Sequence, residues 1–177
     1  MESILEILKY VLPSLVVFAT AYYIIKQFTD VENKRRMLEL KNQQQAVAKN
    51  VIIPIQMQAY ERLVLYLERI SPSQLVLRNI HPAMNVKQLQ TKLISNIREE
   101  FEHNLAQQMY VSSEAWELIK KGKDDVISVI GQCATKLDAN DNANVLAQEF
   151  IKTTLEIENP LYAVALEFLK REFRDTF

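Results

Sequence analysis

The chain has 177 residues and a net charge of −1, with 21 Lys and Arg against 22 Asp and Glu; its length suits one domain with a real core. A balance so close to neutral gives no electrostatic basis for binding nucleic acid, which needs a clustered cationic surface. Only two glycines, Gly122 and Gly131, and five prolines occur, too few for hairpin turns or a phosphate-cradling loop, so the expected fold class is all-α.

The first element is the sixteen-residue uncharged run Tyr10–Ile25, bracketed by Lys9 and Lys26. Extended back to Ile4 it reaches 22 residues, or about 33 Å of helix. Tyr10, Tyr22 and Tyr23 stand near its two boundaries, as interfacial aromatics do. The expectation is a single transmembrane helix in residues 1–26, contacting the bilayer through Ile4–Ile25. Lys26, Lys34, Arg35, Arg36 and Lys41 follow it, and this positive flank puts the C-terminal part on the cytoplasmic side of a bacterial inner membrane. Two other readings of the run are a buried core helix and a signal peptide cleaved after Ala21, the latter opposed by acidic Glu2 and Glu6.

Residues 27–53 read as a charged helical stalk. Met37, Leu40, Gln44, Val47 and Val51 follow a 3,4 spacing, which admits a homodimer of stalks over a short stretch. A helical domain of about five helices is expected over 54–177, with Pro54 ending the stalk and opening the first of them. That helix buries Gln56, Ala59, Tyr60, Leu63, Tyr66, Leu67 and Ile70, and offers Met57 and Leu65 on the opposite side. "SPSQ" and "NIHPAMN" are turn-like, and "LVLR" between them is extended or a single helical turn. Asn85, with Gln88 in the capping-box position, opens a helix reaching to about Met109. Ser112 caps the next, which carries Trp116, Ile119, Val126, Ile130 and Leu137. After the loop "DANDN" a helix uses Leu146, Phe150, Thr154 and Ile157. Asn159–Pro160 then cap and open the last helix, ending near Phe173.

The stretch "REEFEHNLAQQMYVSSEAWELIKK", residues 98–121, concentrates polar and aromatic side chains. Glu100 and His103 form an E-x-x-H unit of the kind that binds iron or manganese in four-helix carboxylate proteins. No second unit exists, because the other histidine, His81, precedes Pro82 in a loop, so no metal or other cofactor is expected. Asn104 and Gln108 lie within about 20° of Ile97 on the helix face, at 100° per residue. Glu100, His103, Asn104, Gln108 and Trp116 are therefore expected to form a polar joint between two helices, or else a ligand pocket. Cys133 is the sole cysteine, which excludes an intrachain disulfide and reads as a small core residue. Met57, Arg62, Leu65 and Arg69 are the candidate interaction residues; the arginines lie seven apart on one helix edge, where they either clasp an anionic partner or, as such Glu-Arg doublets more often do, form a solvated face with local ion pairs.

The segments "ESILEILKYVLPSLVVF", "QMQAYERLVLYLERI", "LVLR" and "IREEFEHNLAQQMYVSSEAWELI" resemble a family of uncharacterised, N-terminally membrane-anchored helical proteins of Bacteroidetes-type bacteria. The resemblance covers residues 2–26 and 54–120 and implies an anchored helical domain, with no activity attached. The expected function is a non-enzymatic scaffold, adaptor or accessory subunit of a membrane complex. Its candidate contact surfaces are the 55–70 helix and the C-terminal helix with Phe168, Phe173 and Phe177, although these phenylalanines are read first as closing the core. The reading from another class is a small-molecule or metal-binding helical enzyme centred on Glu100, His103, Asn104 and Gln108.

Overall fold

The computed structural model describes the backbone of residues 2–177 and the side chains of residues 15–47 and 49–177. Among these residues the secondary structure is all helix: α1 (Glu2–Arg69), α2 (Pro72–Asn79), α3 (Val86–His103), α4 (Ser113–Thr135), α5 (Ala143–Leu155) and α6 (Leu161–Thr176), with a 3-10 turn at Leu105–Met109. The chain divides into two compact units, Met1–Ile52 and Ile53–Phe177.

The first unit is the N-terminal part of α1. The expected transmembrane helix is not supported: among the described residues no helix is long and apolar enough to cross a membrane. The uncharged run has only sixteen residues. At about 1.5 Å per residue it spans roughly 24 Å, short of a hydrocarbon core of about 30 Å. Lengthening it to Ile4 takes in Glu6 and Lys9, and the side chains of Ile4–Ser14 lie outside the described residues. The single-pass inner-membrane placement falls with the anchor. Apolar side chains in this unit, including Phe18, Ile24, Phe28 and Leu38, are exposed.

The second unit holds the core. Its part of α1 buries Ala59, Tyr60, Leu63, Tyr66, Leu67 and Ile70, with Gln56 half-buried and Met57 and Leu65 exposed. The 3.6-residue period thus selects the face that the spacing predicts. Pro54 does not open a new helix, since α1 continues through it. A proline removes one i→i−4 hydrogen bond without ending a helix whose neighbouring turns are held. "LVLR" belongs to α2, where Pro72 starts the helix and Leu75, Val76 and Asn79 are buried.

Asn85 and Gln88 form the capping box: the Gln88 N–H donates to Asn85 Oδ1 at 2.9 Å, and the Asn85 N–H to Gln88 Oε1 at 3.1 Å. Asn142 caps α5 by a single bond, accepting from the Asn144 N–H at 2.9 Å. The two caps are tied by backbone bonds from Val86 N to Asp141 O (2.9 Å) and from Ala143 N to Met84 O (3.1 Å). The α3 helix ends at His103, short of Met109. There the Asn104 side-chain amide donates to Glu100 O at 2.8 Å, and the Asn104 N–H turns to Phe101 O at 3.0 Å. A local side-chain bond of this kind competes with helix propagation. At the last helix the cap is Pro160, not Asn159, and it makes no side-chain capping bond.

The closest backbone approach that a glycine permits in this unit is between α4 and α6. A Cβ built on Gly122 would lie 2.9 Å from Tyr162 Cα. Side chains from all six helices of the unit, among them Tyr66, Leu75, Leu93, Ile119, Phe150 and Leu169, form one buried cluster.

Candidate functional site

Within residues 98–121 the structure separates the side chains that spacing grouped together. His103 and Gln108 are exposed, and Asn104 is half-buried on the carbonyl of Glu100. The Glu100 carboxylate receives Arg69 Nη1 at 3.1 Å to both oxygens and Arg78 Nη2 at 3.0 Å. It thereby joins the end of α1 and α2 to α3. Arg69 is consequently engaged within the fold, whereas Arg62 is exposed and makes no ion pair with a described residue. Trp116 is buried and stacks on Phe101 at 5.3 Å, 21° between planes. Tyr66 lies at 5.9 Å on that ring, and Lys123 Nζ sits 4.5 Å from its centroid. No group of three or more His, Cys, Asp or Glu able to hold a metal ion is found among the described residues.

A second polar junction forms where spacing gave no sign of one. Glu172 on α6 accepts from the Tyr60 hydroxyl at 2.5 Å and the Ser112 N–H at 3.1 Å, and also from the Ser112 hydroxyl. Ser112 Oγ in turn accepts from the Ala115 N–H at 3.1 Å, capping α4. Burial by itself raises the Glu172 pKa, but the bonds from Ser112 and Tyr60 outweigh it and hold the carboxyl below its ordinary range. Burial, with the Glu172 carboxylate adding, pushes Tyr60 up to about 12. The only sequence signal was the capping serine; its carboxylate partner lies 60 residues away.

Beside this junction, α1 and α6 enclose an open groove of about 1060 Å³. The α1 wall repeats at helical spacing through Met57, Tyr60, Glu61, Val64 and Leu65, and the α6 wall presents Leu169, Lys170, Phe173 and Arg174. Tyr60 meets Phe173 edge-on at 5.6 Å and Phe177 at 6.2 Å, making an aromatic corner. Met57 is 44% exposed and Leu65 48%, so the groove exposes large apolar side chains that a folded domain ordinarily covers. Its charged rim is divided, with Glu61 on the α1 side and Lys170 and Arg174 on the α6 side. Two of the sequence-derived interaction residues, Met57 and Leu65, are thus brought together with Phe173. Arg62 and Arg69 lie outside the groove lining, and Phe168 packs under Arg171 at 5.2 Å on another face of α6.

The described residues thus form a helical domain with an apolar groove between two of its helices. The chain belongs to a family described as "Family of unknown function (DUF7935)", which it matches over residues 2–176. The match carries no activity, ligand or membrane anchor. No curated protein and no solved structure matches it.

Proposed function

We propose that the protein is a non-enzymatic helical adaptor whose α1–α6 groove receives an amphipathic helix of a partner protein. The reading is carried by an apolar stripe of exposed Met57 and Leu65 with half-buried Val64, lining the groove with Leu169 and Phe173. Such a floor suits the i, i+3, i+4, i+7 anchors of a helix laid in a groove. The divided rim sets the orientation: an acidic flank of the incoming helix meets Lys170 and Arg174, and a basic flank meets Glu61. Tyr60, Glu172 and Ser112 hold the groove's floor rigid by bonds that are already made, which lowers the ordering cost of binding.

The test begins with the full chain purified from its own host. A photo-crosslinker at Val64 maps the partner segment, which is then synthesised and titrated against the purified chain. An amphipathic helical segment is expected, with affinity lowered at least about tenfold by Leu65→Glu, or 1.4 kcal/mol. Arg174→Glu weakens it too, and a matching acidic-to-basic change in the peptide recovers binding. Affinity indifferent to both variants removes the reading, as does recovery of the chain alone. A crosslink from Val64 to a second copy of the same chain reassigns the groove to self-association.

A further inference from the structure

The N-terminal unit raises a separate question, because it is one helix with apolar side chains in solvent. Val17, Ile24, Val31 and Leu38 recur every seven residues and are each between 52% and 67% exposed. Ala21 and Phe28 alternate with them at 3,4 spacing, and Phe28 is 69% exposed. With those six residues as d and a positions, the seam continues through Arg35 and Asn42 at a and Gln45 at d. Its apolar part, Val17–Leu38, covers about three heptads interrupted once by Arg35, the lower end of what a sustained coiled coil needs.

The charges beside this seam choose its partner. In a parallel pair of identical helices, the residue before each a position faces the partner residue five places further on. Lys34 then faces Glu39 of a second copy, twice by symmetry, and Gln27 faces Glu32. Glu32 already accepts from Arg36 at 3.3 Å in its own helix, so the Lys34–Glu39 pairs carry the selection. Asn42 at an a position disfavours other registers and higher oligomers. The opposite stripe of Met37, Leu40, Gln44, Val47 and Val51 gives the reverse result, setting Arg36 against Lys41 of the second copy. Like charges at these positions destabilise the pair.

We propose that residues 17–45 of two copies of this chain pair as a parallel, in-register coiled coil along the Val17–Ile24–Val31–Leu38 seam. Apolar side chains exposed in one copy are covered by the same side chains of the other, which is the hydrophobic driving force for association. Arg35, a polar intrusion in the seam, keeps its guanidinium in water along a long apolar stem. This dimer is independent of the α1–α6 groove.

Sedimentation equilibrium of the full chain is the first measurement, with the expected species at twice the 20.6 kDa chain mass. Lys34→Glu weakens the dimer about tenfold and Glu39→Lys does the same, because each sets like charges face to face at two symmetric sites. The double variant Lys34→Glu/Glu39→Lys recovers wild-type association. Under mild oxidation Val31→Cys crosslinks two chains, while Arg36→Cys, turned well away from the seam, does so poorly; Cys133 is buried. All four positions are exposed helical sites, and near-ultraviolet dichroism of Trp116 reports whether the second unit remains folded. A 20.6 kDa species at every concentration overturns the proposal. So does a dimer unmoved by the charge exchange, or one that crosslinks equally through residue 36.

Discussion

Glu172 links helices that local spacing does not connect. Its carboxylate holds α1 through Tyr60 and the start of α4 through Ser112. Glu172→Gln keeps the shape but removes the charge that accepts three bonds; a loss of about 1–2 kcal/mol is expected for a partly buried, charge-assisted site. The pH dependence has a definite sign. The folded pKa of Glu172 is depressed, so its contribution is present above the ordinary carboxylate range and is lost as pH falls through the folded value. Tyr60 has the opposite sign: raised from 10.0 to about 12, it contributes below 10 and loses that contribution as pH climbs toward 12. Urea unfolding of wild type and Glu172→Gln should differ at neutral pH and converge in acid. A gap that stays constant into acid would show that the carboxylate charge is not what matters.

At the scale of elements, the two glycines of α4 give opposite predictions from the same residue type. Gly122 lies under the start of α6, where an added methyl meets Tyr162 Cα at 2.9 Å. Because that neighbour is backbone, α6 must move. Gly122→Ala is expected to destabilise by about 1–2 kcal/mol despite the gain in helix propensity. Gly131 has nothing within 4 Å of the same added atom, so Gly131→Ala should stabilise by up to about 1 kcal/mol. Thermal melts of the two variants check both signs at once; a stable Gly122→Ala protein would mean that the α4–α6 contact is looser than described. Helix ends divide along similar lines. The start of α3 was legible because Asn85 and Gln88 are three residues apart and serve each other. Its end was not, because Asn104 stops the helix through a side-chain bond that a continuing apolar pattern conceals.

For the whole molecule, the two units should differ in how their backbone amides exchange. Core amides of the second unit, as at Leu67 and Ile130, lie in a shared buried cluster and should exchange by its cooperative opening. Amides over residues 17–45 belong to one exposed helix, whose protection depends on what covers it. Hydrogen exchange is therefore expected to slow with rising protein concentration in residues 17–45, while the second unit does not change. Concentration-independent exchange in both units would count against pairing of the N-terminal helices.

Several features were settled by local sequence: the all-α class, the capping residues Asn85 and Ser112, and the buried face running from Ala59 to Ile70. Each depends on residues within a turn or two of one another, through periodicity, side-chain caps and the scarcity of glycine. The reading of Ile4–Ile25, built on the uncharged run Tyr10–Ile25, as a membrane span was local as well. It failed because an apolar run signals that a helix needs covering without naming the cover, and sixteen uncharged residues fall short of a bilayer. Tertiary structure alone placed Glu172 on Tyr60, 112 residues away, set Phe101 between Tyr66 and Trp116, turned Arg69 onto Glu100, and opened the groove between α1 and α6. Contacts at such separations leave no periodic mark in a single chain, because one partner's helix face constrains only the chemistry, not the address, of what packs against it.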